Sequence, residues 1–296
     1  MSKGFTSFKG RTAVITGAAS GIGRALAEQL WTEGCNLALV DVDNAGLNAV
    51  SDALRKTRNS GSLTMHITDV ADRQSMQALP AAIAAAHGEI QLLFNNAGIG
   101  YEAAFPQTSL ETWDRVLGVN LWGVIHGCHF FLPYLARTKH AHIVNISSLF
   151  GIIGMPGQTA YSASKYAVRG LSESLREELH ATTVGLTLVH PSSVATNIMK
   201  ASDGDDPELL AHLSKWYDKN AMAPEIAAAK IIRAVKKGHP RLLISPESYL
   251  ADYIKRLMPV AGNKLTCDLI ISVLGLEHMR DKRSDQWRRE MGLGSE

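Results

Sequence analysis

An α/β fold wound on both faces of a parallel sheet is what this 296-residue sequence predicts, as one domain over 1–247 with a C-terminal helical extension over 248–296. Three observations predict it. Short apolar or β-branched runs alternate with helical patterns along nearly the whole chain, the first run opens straight into a glycine-rich turn and a helix, and the second run ends in an acid. Such alternation implies right-handed crossovers and a sheet covered on both sides, and ligands of such sheets bind beyond the carboxyl ends of the strands.

The first run, RTAVIT at 11–16, leads into Gly17-Ala18-Ala19-Ser20-Gly21-Ile22-Gly23 and then a helix with Ile22, Leu26 and Leu30 on one side. Glycines there allow positive φ, and their missing side chains let backbone N–H groups and the positive end of the helix dipole approach a pyrophosphate. Gly17, Ser20, Gly21, Ile22 and Gly23 are therefore candidate cofactor contacts. The second run, NLALVD at 36–41, ends in Asp41 twenty residues after Gly21, where a dinucleotide fold places the group that bonds the adenosine ribose. A carboxylate accepts from both ribose hydroxyls of NAD and repels the 2′-phosphate of NADP. Val42 and Ser20 offer no cation to offset that repulsion, so NAD is the expected cofactor.

Further strand signals fall at 62–67, 90–95, 142–147, 184–190 and 241–244, in a pattern of the Rossmann kind. Gly17, Asp41, Asn95, Ser147 and Pro191 all lie at strand ends. The fifth run, HIVNISS, closes on Ser147 and Ser148, and YSASK begins thirteen residues after Ser148. Tyr161 and Lys165 are four apart on one helical face, so the ammonium can lie beneath the phenol and make it a usable proton carrier near neutral pH. Alone, a phenol with a pKa of about 10 is a poor one. Ser147 at the strand end suits a hydrogen bond to a carbonyl oxygen. No Gly-x-Ser-x-Gly elbow surrounds it, so acyl transfer is the weaker reading.

Together these residues resemble the short-chain dehydrogenase/reductase family over about residues 8–245. Thr16-Gly17-x-x-x-Gly21-x-Gly23 looks like the family's cofactor turn, Asp69-Val70 like its adenine-contacting pair, and Asn95-Asn96-Ala97-Gly98 like the segment that steadies the central sheet. The resemblance implies a tetrad of Asn120, Ser147, Tyr161 and Lys165. In it Lys165 also bonds the nicotinamide ribose and Asn120 anchors a water that relays protons. It further implies cofactor contacts from Pro191, Val194 and Thr196, the last on the carboxamide. Ser192 departs from the family's usual glycine and puts a side chain beside the substrate.

Composition narrows the function. Thirty basic against 28 acidic residues give a net charge of +2, which supplies no footprint for nucleic acid. Cys35, Cys128 and Cys267 are widely spaced in apolar or helical contexts, which fits buried thiols in a reducing compartment. None of the 11 histidines pairs with a second histidine and a carboxylate at metal-binding spacing, so no metal is expected. The N-terminal stretch lacks the apolar segment of a signal peptide and no run approaches bilayer length, so a cytoplasmic location is expected.

Two segments lie outside the alternating core. Residues 195–223 contain an Asp-Gly-Asp-Asp-Pro turn and a helical pattern with Leu209, Leu213, Trp216 and Tyr217, which reads as a lid. The tail from 248 is apolar over 265–279 and charged over 280–290. It reads as a helix packed on a second subunit of a homodimer or homotetramer, or over the active-site rim, ahead of a membrane contact. Leu149, Phe150, Ile153, Met155, Ser192, Met199, Trp216 and Tyr217 are the candidate substrate contacts. They favour an alicyclic, aromatic or steroid-like alcohol or ketone. A nucleotide-sugar epimerase, a non-catalytic NAD sensor and a membrane-peripheral lipid or retinoid reductase are the competing readings.

Overall fold

The computed structural model describes residues 4–57, 61–196, 203–204, 206–277, 287–288 and 291–292. Its centre is a seven-stranded, all-parallel sheet. The strands are β1 (Thr12–Thr16), β2 (Asn36–Asp41), β3 (Leu63–Ile67), β4 (Leu92–Asn95), β6 (Ala141–Ile146), β7 (Val184–His190) and β9 (Arg241–Leu243), in the order β3-β2-β1-β4-β6-β7-β9. All seven fall within a residue or two of the runs read from the sequence. Strand order reverses beside β1, and the crevice that opens there is where such sheets hold ligands. A two-stranded ladder absent from the sequence reading pairs β5 (Tyr101–Glu102) with β8 (Asp203–Gly204).

Alternation along the strands builds two apolar layers. Ala13 and Ile15 of β1 and Leu37 and Leu39 of β2 pack with Leu26 and Leu30 of α1 (Gly21–Thr32), Leu47 of α2 (Asn44–Arg55) and Ile231 and Val235 of α8 (Pro224–Lys237). Val14, Ala38 and Val40 turn the other way, onto Met76 of α3 (Arg73–His87), Phe131 of α5 (Gly123–Leu135) and Val168 of α6 (Thr159–Glu178). Each fully buried large aliphatic side chain contributes about 1.5–3 kcal/mol.

The helix α4 (Leu110–Leu117) runs through a π turn, Gly118–Trp122, into α5. Among the described residues this continuous 110–135 stretch is long and apolar enough to cross a membrane by length and composition, where the sequence reading found no such run. Its Val124, Phe131 and Leu135 are buried against the sheet, which makes it a core helix. After β7 come α7 (Pro207–Asn220), then α8 and β9, and finally a helical hairpin of α9 (Pro246–Leu257) and α10 (Ala261–Leu274).

Candidate active site

The turn after β1 is built for backbone recognition. Gly17 has φ +66°, and a Cβ there would lie 2.8 Å from Ala97 Cα. A Cβ on Gly23 would lie 2.0 Å from the Gly17 carbonyl oxygen, so Gly23 lets α1 close onto the turn. Gly23 thus acts behind the groove: it does not line the cavity, whereas Gly17, Ser20, Gly21 and Ile22 do. Thr16 Oγ1 accepts from both Asn96 N and Ala97 N at 3.0 Å, and Asn96 Nδ2 donates to the Thr16 carbonyl at 2.9 Å. These bonds lock β1 to the 96–98 segment. Asp41 Oδ2 accepts from Ala19 N at 2.9 Å and Oδ1 from Asp43 N at 3.0 Å, which holds its carboxylate at the rim. Asp69, Val70, Asn96, Ala97, Gly98, Pro191, Val194 and Thr196 border the same groove. Thr196 arches over the turn, its Cβ 3.0 Å from where a Gly21 Cβ would stand.

Beyond Gly98 the groove meets Tyr161 and Lys165, near the start of α6. Lys165 Nζ lies 5.6 Å from the Tyr161 ring centre and donates to the Ile146 carbonyl at 3.2 Å. Burial pushes the Tyr161 phenol up to about 12, against a hydrogen bond from Ser148, with Tyr217 adding to the rise. Burial likewise pushes the Lys165 ammonium down to about 8. The phenol is thus not depressed as the Tyr/Lys spacing predicts, because both groups are withdrawn from water.

The serine assignment is corrected. Ser147 Oγ donates to the Lys165 carbonyl at 2.8 Å inside the protein, and it is Ser148 whose hydroxyl acts on the Tyr161 phenol. Side chains alternate along extended backbone, so Ser147 shares its direction with Asn145, which donates to Ser172 of α6 at 3.0 Å. Ser148 turns to the cavity. Its Oγ accepts from Phe150 N at 3.1 Å, and its carbonyl bonds His190 Nδ1 at 2.9 Å. Counting parity from the buried Asn145 would have found this.

Asn120 is fully buried in the π turn. Its Oδ1 accepts from Ile99 N at 2.8 Å, while its Nδ2 donates to the Ile99 carbonyl at 3.0 Å and Ser164 Oγ at 3.2 Å. Those bonds brace the floor beneath Gly98.

The cavity, of about 2200 Å³, continues past Tyr161 into an apolar chamber. Leu149, Phe150, Met155, Trp216 and Tyr217 line it as expected. Ile153 does not: it is fully buried against Leu243 and Ala251, facing the core behind the wall. Ser192 borders the chamber, but its hydroxyl bonds Ser245 Oγ at 2.7 Å and Glu247 Oε1 at 2.9 Å, which ties it to the start of α9 and away from substrate. Met199 lies outside the described residues.

Missing from the sequence reading were Leu269, Ile270 and Leu274 of α10, which form the roof with Leu209 and Leu213 of α7. Also missing was Glu102, a buried carboxylate in the chamber that bonds the Gln158 side chain. Helical spacing betrayed the apolar faces but not their target. The lid segment is anchored at its base, where Ala195 N donates to the Met222 carbonyl and Met222 N to the Ser193 carbonyl, both at 2.9 Å. Burial pushes the Tyr217 phenol up, opposed by the Ser193 hydroxyl and reinforced by Glu102. Among the described residues no group of three His, Cys, Asp or Glu is placed to hold a metal.

A family described as short chain dehydrogenase matches residues 11–207. SadH of Mycobacterium tuberculosis is 39% identical over 270 residues, spanning 88% of this chain and 95% of its own. A short chain dehydrogenase/reductase from Burkholderia phymatum, solved with NAD, superposes with a TM-score of 0.80 at 32% identity, over 86% of this chain and 95% of that one. A metagenomic short-chain oxidoreductase solved with NADP superposes with a TM-score of 0.66 at 29% identity, over 80% and 98%.

Proposed function

Since this chain belongs to the short chain dehydrogenase family and is an oxidoreductase of that family, we propose that it uses NAD to interconvert a secondary alcohol and a ketone on a bulky apolar skeleton. The single observation that carries the reading is the Ser148 hydroxyl beside the Tyr161 phenol with Lys165 behind it, standing where the glycine-rich groove opens into the apolar chamber. A nicotinamide dinucleotide suits the groove: the bare backbone of Gly17 and Gly21 would take the pyrophosphate, Asp41 the adenosine ribose, and Asp69 and Val70 the adenine. The oxidised nicotinamide, when bound, supplies the hydride acceptor.

The protein's own groups position the substrate and move its proton. In the oxidation direction Tyr161 takes the hydroxyl proton. Ser148 accepts from Phe150 N, so its own proton is free to point at the substrate oxygen, where it helps most as charge develops. Lys165, at about 8, is largely cationic near neutral pH and favours the phenolate. Asn120 keeps the floor in register, and a proton relay through a water on it belongs to the same proposal. NAD over NADP rests on the Asp41 carboxylate at the groove's rim, with Val42 beside it. The apolar substrate rests on the roof of Leu209, Leu213 and Ile270. Location in the cytoplasm is part of the reading and is checked by fractionation.

The test is turnover of the purified full chain with NAD or NADP and a series of secondary alcohols of increasing apolar size, followed by reduced nicotinamide. We expect kcat/KM to rise with size, NAD to be preferred, and Tyr161→Phe to cost about 10²–10⁴-fold in kcat while NAD affinity holds. A flat or falling trend would overturn the apolar reading. NAD binding without turnover of any alcohol would favour a sensor.

A further inference from the structure

The α9–α10 hairpin packs Ala251, Cys267 and Ile271 onto the body but carries a second apolar set on the side that faces away from it. Its inward positions include Ser248, Asp252, Gly262 and Thr266, all buried. Its outward positions include Leu250, Tyr253 and Leu257 on α9 and Leu265, Leu269 and Val273 on α10, spaced three and four apart so that each set forms one exposed stripe. The connecting tip, Met258-Pro259-Val260, is exposed too, with Val260 at 87%. A contiguous apolar face of this kind marks an interaction surface.

We propose that this face docks on a phospholipid bilayer and sets the mouth of the cavity against the membrane. Two observations choose that occupant. Leu269 and Val273, 47% and 60% exposed, belong to the outward stripe and also line the cavity, so the chamber opens onto the stripe itself. A shallow groove of about 770 Å³ beneath the tip, touching Pro259 and Val260, shares Met155, Pro156 and Thr159 with the main cavity. A second copy seated flat on this face would cover the chamber's opening and the groove, whereas a bilayer surface sets both against a reservoir of apolar molecules.

Charge is the second observation. Residues 255–264 carry Lys255, Arg256 and Lys264 and no acid. Of the nearest acids, Asp252 already accepts two bonds from Arg241 at 2.8 Å besides the one from Arg256, and Asp268 pairs with Lys264. The tip therefore presents net positive charge beside exposed apolar side chains and a tyrosine, the combination that holds an interfacial helix on anionic headgroups. The sequence reading placed this tail on a neighbouring subunit or over the active-site rim; α10 covers the rim through Leu269, Ile270 and Leu274, and its outward stripe is the part the bilayer would meet.

This proposal does not rest on the proposed reaction, because its readout is partitioning and not turnover. The full chain is sedimented with vesicles of phosphatidylcholine and of phosphatidylcholine with phosphatidylglycerol, with light scattering in parallel. We expect binding to both, about tenfold tighter with phosphatidylglycerol, and at least about a tenfold loss in Val260→Asp and in Leu257→Asp. Both positions are exposed, so melting temperatures should match the parent, and Lys255→Gln with Lys264→Gln should remove the phosphatidylglycerol preference. Absence of binding to either vesicle overturns the proposal, as does undiminished binding by the aspartate variants. An oligomer that the aspartate variants convert to monomers would mean that a second copy covers the face, and overturns it equally.

Discussion

The floor of the cavity and its roof are made by different means. The floor is backbone and short polar side chains fixed at strand ends: Gly17 after β1, Asp41 closing β2, Asn96 just past β4, and Ser148 just past β6. The roof is aliphatic bulk brought in from α7 and α10, helices far apart in sequence that meet through Met155, Leu213, Cys267 and Ile271. Recognition by backbone needs particular residue types at particular spacings. Apolar enclosure needs only volume, which many sequences supply. The comparison teaches that changes in the floor should alter chemistry and cofactor choice, and changes in the roof should alter substrate affinity.

The largest expected effect tests the floor at its centre. Ser148→Ala should lower kcat/KM by about 10²–10³-fold, the usual cost of one donor to a developing oxyanion. Ser147→Ala should leave kcat within about tenfold and appear instead as a loss of about 1 kcal/mol in unfolding free energy, since its hydroxyl serves the Lys165 carbonyl. Kinetics and denaturant melts on both variants decide it. A larger kinetic loss in Ser147→Ala would return the oxygen-binding role to the residue first read from the sequence.

Next comes the groove's rim. Asp41→Ala removes the carboxylate that faces the cavity while the turn glycines stay in place, so the preference for NAD over NADP should narrow by about ten- to a hundredfold, or roughly 1–3 kcal/mol. Apolar substrates should keep their KM. If the alcohol KM moved as much as the NAD KM, floor and roof would not be separable.

Lys165 sits at the seam between the two regions, and its burial gives a stability signature. Its folded value, about 8, lies below the ordinary 10.5, so between those pH values the unfolded state holds more protons and stability rises with pH. Denaturant melts at about pH 8 and about pH 10 should therefore show the parent gaining on the order of 1–2 kcal/mol relative to Lys165→Met. The Tyr161 phenol, pushed up to about 12, acts in the opposite sense only above about pH 10, where the unfolded phenol ionises. No relative gain in that window would mean that water reaches the ammonium, and that the seam is open.

The same contrast explains what could be read from the sequence. The five central strands were legible because parallel strands buried on both faces are continuous apolar runs, the part-exposed edge strands β3 and β9 by their place in the alternation, and the turn because only glycine fits where Gly17 and Gly23 sit. The Ser147/Ser148 ambiguity arose because adjacent serines differ only in parity, and a motif matched by order does not test parity. Ile153 was misplaced for a similar reason: an apolar residue after the strand can face the cavity or the core, and here Leu243 and Ala251 claim it. The roof was illegible because nothing in Leu269 or Ile270 names its partner, and Glu102 because its burial depends on a ladder formed with Asp203 and Gly204, far along the chain.

The smallest expected effect probes a polar link between the two regions. Ser192 replaces the glycine usual after the Pro191 position, and its hydroxyl joins Ser245 and Glu247 at the start of α9. Burial works against the Glu247 charge, but bonds from its own backbone, Ser245 and Ser192 hold the carboxyl below its ordinary value, so the link is intact at neutral pH. Ser192→Gly deletes two partly exposed hydrogen bonds, about 1–2 kcal/mol together, and gives the loop freedom it now lacks. Because the link orients the hairpin that roofs the chamber, the loss should raise KM for bulky apolar substrates about two- to threefold and leave kcat and the NAD KM nearly unchanged. Ser192→Ala, which removes both bonds but keeps the backbone restrained, should show most of the effect. If Ser192→Ala behaves as the parent and only the glycine variant changes, the loop's stiffness sets the roof, and the Ser192 hydroxyl is not the tie between the regions.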